Sequence, residues 1–133
     1  MKKHAILKIA MCTVTAVLLA VSVSAYLDRA TGTVDGYATE GLIYEGSNNG
    51  YHASTYVNPS ANYETVWAKV ELVTSGEHPT LEKPGTSYSV DTDELTTTKY
   101  VASVRGYHYV ETENGGTWGS RDEYLTNYLT PGR

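Results

Sequence analysis

The stretch from Tyr63 to Val73, YETVWAKVELV, limits what this chain can fold into more than any other. Its even positions carry Val66, Ala68, Val70 and Leu72. Its odd positions carry Tyr63, Thr65, Trp67, Lys69, Glu71 and Val73. Alternate side chains of a strand point to opposite faces, so one register collects four aliphatic residues on a single face. A helix would scatter the same residues around its circumference. The other face mixes an aromatic, a hydroxyl and a Lys69/Glu71 pair, which suits water. Burying Val66, Val70 and Leu72 is worth roughly 1.5–3 kcal/mol each before the entropy of ordering is charged. The expected element is therefore a strand with one face in a core.

The N-terminus reads as a targeting segment. Lys2, Lys3 and Lys8 make a positive start, Ile9 to Val23 carries no charge, and Val23-Ser24-Ala25 offers the small residues a signal peptidase requires. The apolar run is short for a membrane span of ~20 residues, which favours cleavage after Ala25 over an uncleaved anchor. Met11 stands before Cys12 where lipid attachment needs a small residue, so the lipoprotein reading is set aside. The expected organisation is a signal peptide, 1–25, and one secreted domain, 26–133. Loss of the three leader lysines leaves seven basic residues against fifteen acidic ones, a formal charge of −8 in place of −5. So acidic a chain is a poor partner for nucleic acid or anionic lipid, both of which need Lys and Arg. Cys12 leaves with the leader, and with it go disulfides, thiolate metal sites and a cysteine nucleophile.

Residues 26–133 hold seven Leu, one Ile and nine Val, with no Phe and no Met. So few aliphatics alone would point to disorder. Twelve tyrosines and two tryptophans reverse that reading, because each aromatic buries a large area and tolerates a wet edge. Tyr, Thr and Val are strand formers, and glycines and Asn-Gly steps recur between them. The class is all-β, and with no helical crossovers between strands the pairing is expected to be antiparallel. A small β-sandwich of about six or seven strands follows, with the Val66 face and the Tyr100 face sharing the core.

Along the domain, Tyr26 to Arg29 reads as a loose start. Thr31 to Glu45 fits two short strands or one bulged strand equally well. Ser47-Asn48-Asn49-Gly50 is a tight turn, with Gly50 to Val57 returning from it and Asn58 to Asn62 looping into the Tyr63 strand. Thr74 to Thr98, with its Gly, Pro and Thr runs, reads as a long loop around a short strand near Ser87 to Val90. Such length is often a binding or mobile loop. Tyr100 to Val110 is the second strong strand, with Tyr100, Ala102 and Val104 on one face and Gly106 at a suspected bulge. Asn114-Gly115-Gly116 is a third turn. Ser120 to Glu123 matches a capping box, and Tyr124, Leu125, Tyr128 and Leu129 then share one helical face. A short C-terminal helix is expected there, with an edge strand as the alternative.

No catalytic, nucleotide or metal motif stands out, and the chain is read as non-enzymatic with no cofactor. His52, His78 and His108 lack helical ligand spacing; His52 and His108 could meet across a sheet as a metal pair, though hydrogen-bonded strand histidines are the commoner outcome. Asp91, Asp93 and Glu94 crowd one loop and are candidate calcium ligands, without the spaced acids and glycine of a calcium loop. The aromatic surplus is the stronger lead. Trp67, Tyr107, Tyr109 and Trp118 are the candidate ligand-binding rings, suited to stacking on sugars or on a partner's apolar patch. The competing reading is that they replace the missing Phe and Leu in the core.

His52-Ala53-Ser54-Thr55-Tyr56-Val57-Asn58, followed by Val66-Trp67-Ala68-Lys69-Val70, resembles two strands of the small secreted bacteriocins of the lactococcin type. The resemblance implies a leader-bearing, cysteine-poor β-sandwich and assigns no residue a role. Two functions stand as expectations. The first is a secreted, non-catalytic binding or surface-interaction protein, its partner a cell-wall glycan or another protein. The alternative is a bacteriocin-like antimicrobial acting at the envelope of related bacteria.

Overall fold

The computed structural model describes residues 26–131. The expected leader and its cleavage site at Ala25 lie outside them, as do Gly132 and Arg133. Nine strands occupy the described residues: β1 (Tyr26–Val34), β2 (Tyr37–Glu45), β3 (Tyr51–Val57), β4 (Tyr63–Thr74), β5 (Thr80–Gly85), β6 (Ser89–Asp91), β7 (Val101–Thr112), β8 (Thr117–Gly119) and β9 (Thr126–Leu129). They make two antiparallel sheets, one ordered β1-β2-β3-β6 and the other β5-β4-β7-β8, with β9 also paired to β7. This is a small β-sandwich. Among the described residues no helix is long and apolar enough to cross a membrane.

The Tyr63 strand is β4, and it is central to the second sheet, between β5 and β7. Val66, Ala68, Val70 and Leu72 are fully buried, in the register expected from their alternation. They face Ile43, Ala53 and Val57 of the first sheet in one core cluster, joined by Val104 and Val110 from β7. β7 takes the same parity: Val104, Gly106, His108 and Val110 pair with Leu72, Val70, Ala68 and Val66 in turn. Gly106 is therefore no bulge. A Cβ there would lie 2.1 Å from Thr126 Oγ1 and 2.6 Å from Ile43, so glycine is needed for close packing. Tyr100 precedes β7 and is 55% exposed, which corrects the expectation that it shares the core.

The start is not loose: Tyr26 belongs to β1, which pairs with β2 across a two-residue Asp35-Gly36 turn. Both turn residues have positive φ, 50° and 81°, as a tight hairpin requires. Asn49 at φ 62° fulfils the same role between β2 and β3. The strand count exceeds the expected six or seven because β5, β8 and β9 are edge strands. β5 carries Glu82, Lys83 and Pro84, residues that blunt a sheet edge and read locally as loop. The short strand near Ser87 to Val90 is β6, displaced to Ser89–Asp91.

The C-terminal helix does not form. Ser120 Oγ does accept from the amides of Asp122 (3.0 Å) and Glu123 (3.1 Å), so the cap is real. Beyond it the Leu125 amide donates to the Gly106 carbonyl, and Thr126 to Leu129 pair with Ser103 to Gly106. An isolated helix of so few residues is marginal in water, whereas β7 offers an unpaired ladder of backbone groups. The edge strand wins.

Candidate functional site

Three of the four candidate rings share the outer face of the five-stranded sheet. Trp67 on β4 is directly across from Tyr109 on β7, and Lys69 across from Tyr107. Their outward parity would normally leave them wet, yet Trp67 is only 5% and Tyr107 only 8% exposed. The cover comes from the same chain. Lys69 Nζ sits 4.1 Å from the Tyr107 ring centre and 5.7 Å from that of Trp67. The Arg121 guanidinium lies 4.9 Å from Tyr109 and 5.7 Å from Trp67, and Arg105 lies 4.6 Å from Tyr124. Tyr124 meets Tyr107 edge to face. The segment expected to be a helix is thus what closes this face, through Arg121 and Tyr124.

The polar ends of these rings are also occupied. Trp67 Nε1 donates to Glu82 (3.3 Å), Tyr107 Oη to Glu71 (2.9 Å) and Tyr109 Oη to Glu111 (3.0 Å). Burial, reinforced by the Glu71 carboxylate, pushes the Tyr107 phenol up to about 12. Burial and Glu111 raise Tyr109 in the same way. Glu71 also faces Arg105 (3.6 Å) and His78 (3.7 Å). Ring faces and ring edges here are already in use, and the cluster works as a second, outer layer of packing.

Trp118 is separate from the other three. It sits on β8 opposite Val110, pointing between the sheets. Its ring lies 6.4 Å from that of His108, and a Cβ on Gly32 would meet its Nε1 at 2.1 Å. His108 is wholly buried between two threonines, with Nδ1 2.9 Å from Thr55 Oγ1 and Nε2 2.9 Å from Thr126 Oγ1. Burial lowers its pKa to about 3, so the ring is neutral at ordinary pH. This Thr-His-Thr bridge ties both sheets together.

His52 is on the opposite, outer side of β3 and does not meet His108. It stacks on Tyr44 at 4.7 Å with the rings 5° from parallel, and its Nδ1 is 2.8 Å from the Thr92 carbonyl. Tyr44 Oη donates to Asp91, and this bond together with burial raises the phenol. Burial raises Asp91 as well, against the Tyr44 bond and His52, which lower it. Glu94 turns elsewhere. It accepts from the Asn48 amide (3.0 Å), the Asn48 side chain (3.1 Å) and the Gly50 amide (3.2 Å), and those bonds lower its pKa. The carboxylates of Asp91, Asp93 and Glu94 do not converge. Among the described residues no group of three or more His, Cys, Asp or Glu could hold a metal ion.

An open cavity of about 520 Å³ lies at one end of the sandwich. Strand ends build it: Glu45 closes β2, Tyr51 opens β3, Val101 opens β7 and Tyr128 is near the end of β9. Val101, Tyr51 and Tyr128, each packed in part against the core, line it together with the exposed Tyr100. Asn49, Thr97, Lys99 and Thr130 supply its polar rim. Its walls are tied down. Tyr51 and Leu95 exchange backbone bonds of 3.0 and 2.9 Å, Glu94 grips the Asn48–Gly50 turn, and Thr130 bonds the Val101 and Ala102 carbonyls. The concavity is open and more polar than apolar in its lining, with the tyrosines as its main aromatic surface.

Sequence patterns did not point to Tyr51, Tyr100 and Tyr128, since they come from three separate stretches and only the strand order assembles them. The sole local signal is the expected long loop, Thr74 to Thr98, whose end supplies Thr97; Lys99 and Tyr100 follow just beyond it. The chain matches no family model, no curated protein and no solved structure, so its function is argued from these two aromatic groups.

Proposed function

We propose that this protein is a secreted, non-catalytic binding module that holds a segment of cell-envelope glycan in the cavity at the end of its sandwich. The observation that carries the reading is a concavity lined by three tyrosines among polar side chains. Tyrosine offers a rigid ring face for a sugar and a hydroxyl for its polar edge, at little conformational cost. Tyr100, at 55% exposed, is free to meet a ligand without repacking the core. The candidate rings on the outer sheet face are less suited, because Lys69 and Arg121 already cover them.

The test is retention of the purified protein on isolated cell wall, with folding followed by circular dichroism. Tyr100→Ala and Tyr128→Ala are expected to lower retention and leave the spectrum intact. Unchanged retention in both variants would move the site elsewhere. The antagonist reading keeps a narrower basis: the two resembling strands are β3 and β4, and their matched residues are largely core. A growth-inhibition spot assay on related strains decides it.

A further inference from the structure

We infer that the free edge of β1 is an interaction surface for a second copy of this chain, the two β1 strands pairing antiparallel about a two-fold axis near Gly32. The Asp35-Gly36 turn has two residues, so Val34 and Tyr37 exchange backbone bonds at its base. Val34, Gly32 and Ala30 therefore turn their amides and carbonyls to β2, and those of Arg29, Thr31 and Thr33 point the other way. Among the described residues no backbone group meets these outward ones. The remaining sheet edges are blunted, as edges of soluble proteins usually are. β5 carries Glu82, Lys83 and Pro84, and β6 and β8 have three residues each. On β9 the Asn127 amide is taken by the Asp28 carboxylate at 2.7 Å. β1, by contrast, is nine residues long, with neither proline nor charge from Ala30 to Val34. With one open edge per molecule, the edge that can meet it is another β1, so pairing closes as a dimer and does not grow into a fibre. The sequence suits that register. Gly32 opposite Gly32 puts no side chains at the closest approach, Thr31 then faces Thr33 on the outer side, and Ala30 faces Val34 on the inner side. Arg29, 3.6 Å from Glu40 in its own chain, stands opposite the exposed Asp35 of the other copy, an opposite-charge pair made twice. About four backbone bonds hold such a seam, which makes it a weak, concentration-dependent contact.

The experiment is sedimentation velocity of the purified protein from micromolar to millimolar concentration, with amide hydrogen exchange read by NMR at both ends of the range. The sedimentation coefficient is expected to rise to that of a dimer, and exchange at the Thr31 and Thr33 amides to slow as it does. Thr33→Pro removes an outward N–H at an edge position that tolerates proline, and Thr31→Lys places a lysine on the edge. Each is expected to weaken dimerisation by about tenfold or more, with the circular dichroism of the dilute protein unchanged. Thr33→Ser, which keeps the N–H, should pair as the wild type does. If Thr33→Pro disturbs the fold, Thr31→Lys and the amide exchange decide between them. A monomer at every concentration overturns the inference. So does a dimer that survives Thr31→Lys, or one that leaves the Thr31 and Thr33 amides exchanging freely. Growth past the dimer overturns it as well, since that needs a second open edge.

Discussion

Two groups of aromatic residues in this molecule have similar composition and opposite fates. Trp67, Tyr107 and Tyr109 sit on the outer face of the larger sheet, yet cations of the same chain close over them and glutamates hold their polar ends. Tyr51, Tyr100 and Tyr128 sit where the two sheets part, and line an open cavity. The difference lies in what each group can reach. A row along two paired strands has neighbours one step away on the same face, so Lys69 reaches Tyr107 and Trp67 from its own strand. Rings at strand ends have no such row, and the loops around them are fastened to the hairpin turn and to β7 instead. Within the second group Tyr51 and Tyr128 still pack in part against the core, and Tyr100 is the ring that reaches solvent.

Both groups depend on the core that β4 supplies, and breaking it removes both at once. Val70→Asp puts an unpaired charge among fully buried aliphatics and is expected to abolish the folded state, whereas Lys69→Asp, on the outward face, costs about 1–2 kcal/mol through lost ring contact. Urea denaturation measures both. Acid acts on the core through His108. His108 holds its proton at about 3 in the folded state and near 6.5 when unfolded, so the unfolded chain binds more protons between those values. The stability is fully present above pH 6.5 and is lost as pH falls toward 3, by about 5 kcal/mol at the limit from this residue. His108→Gln should flatten that part of the profile; an unchanged slope would assign it to the carboxylates. Trp67→Ala is expected to cost about 3 kcal/mol and leave wall retention per folded molecule unchanged, the signature of packing. Arg121→Ala uncovers Tyr109 and part of Trp67 for about 0.5–1 kcal/mol. Tyr100→Ala comes last in stability, within about 0.5 kcal/mol, and first in effect on binding.

Much of the fold was legible in single strands. Alternation from Val66 to Leu72 set which face of β4 is buried, and Asn49-Gly50 placed a turn that forms with positive φ at Asn49. The Tyr100 strand was legible in existence but not in its first residue, because Tyr100 has strand-forming chemistry and no partner at that position. The Ser120 cap was legible and real, but local hydrogen bonding cannot foresee that β7 has an edge left to fill. The same blindness hid the end cavity. Its tyrosines are 28 to 77 residues apart in the chain, and no local period connects them.

Composition and periodicity by themselves determined an all-β domain with one aliphatic stripe at its centre, because side-chain alternation and turn geometry act over a few residues. Tertiary structure alone decided which aromatic rings the chain covers with its own cations and which it gathers around the end cavity. That outcome depends on which cations and which strand ends meet across the sheet, and those meetings are fixed by pairing between residues far apart in sequence.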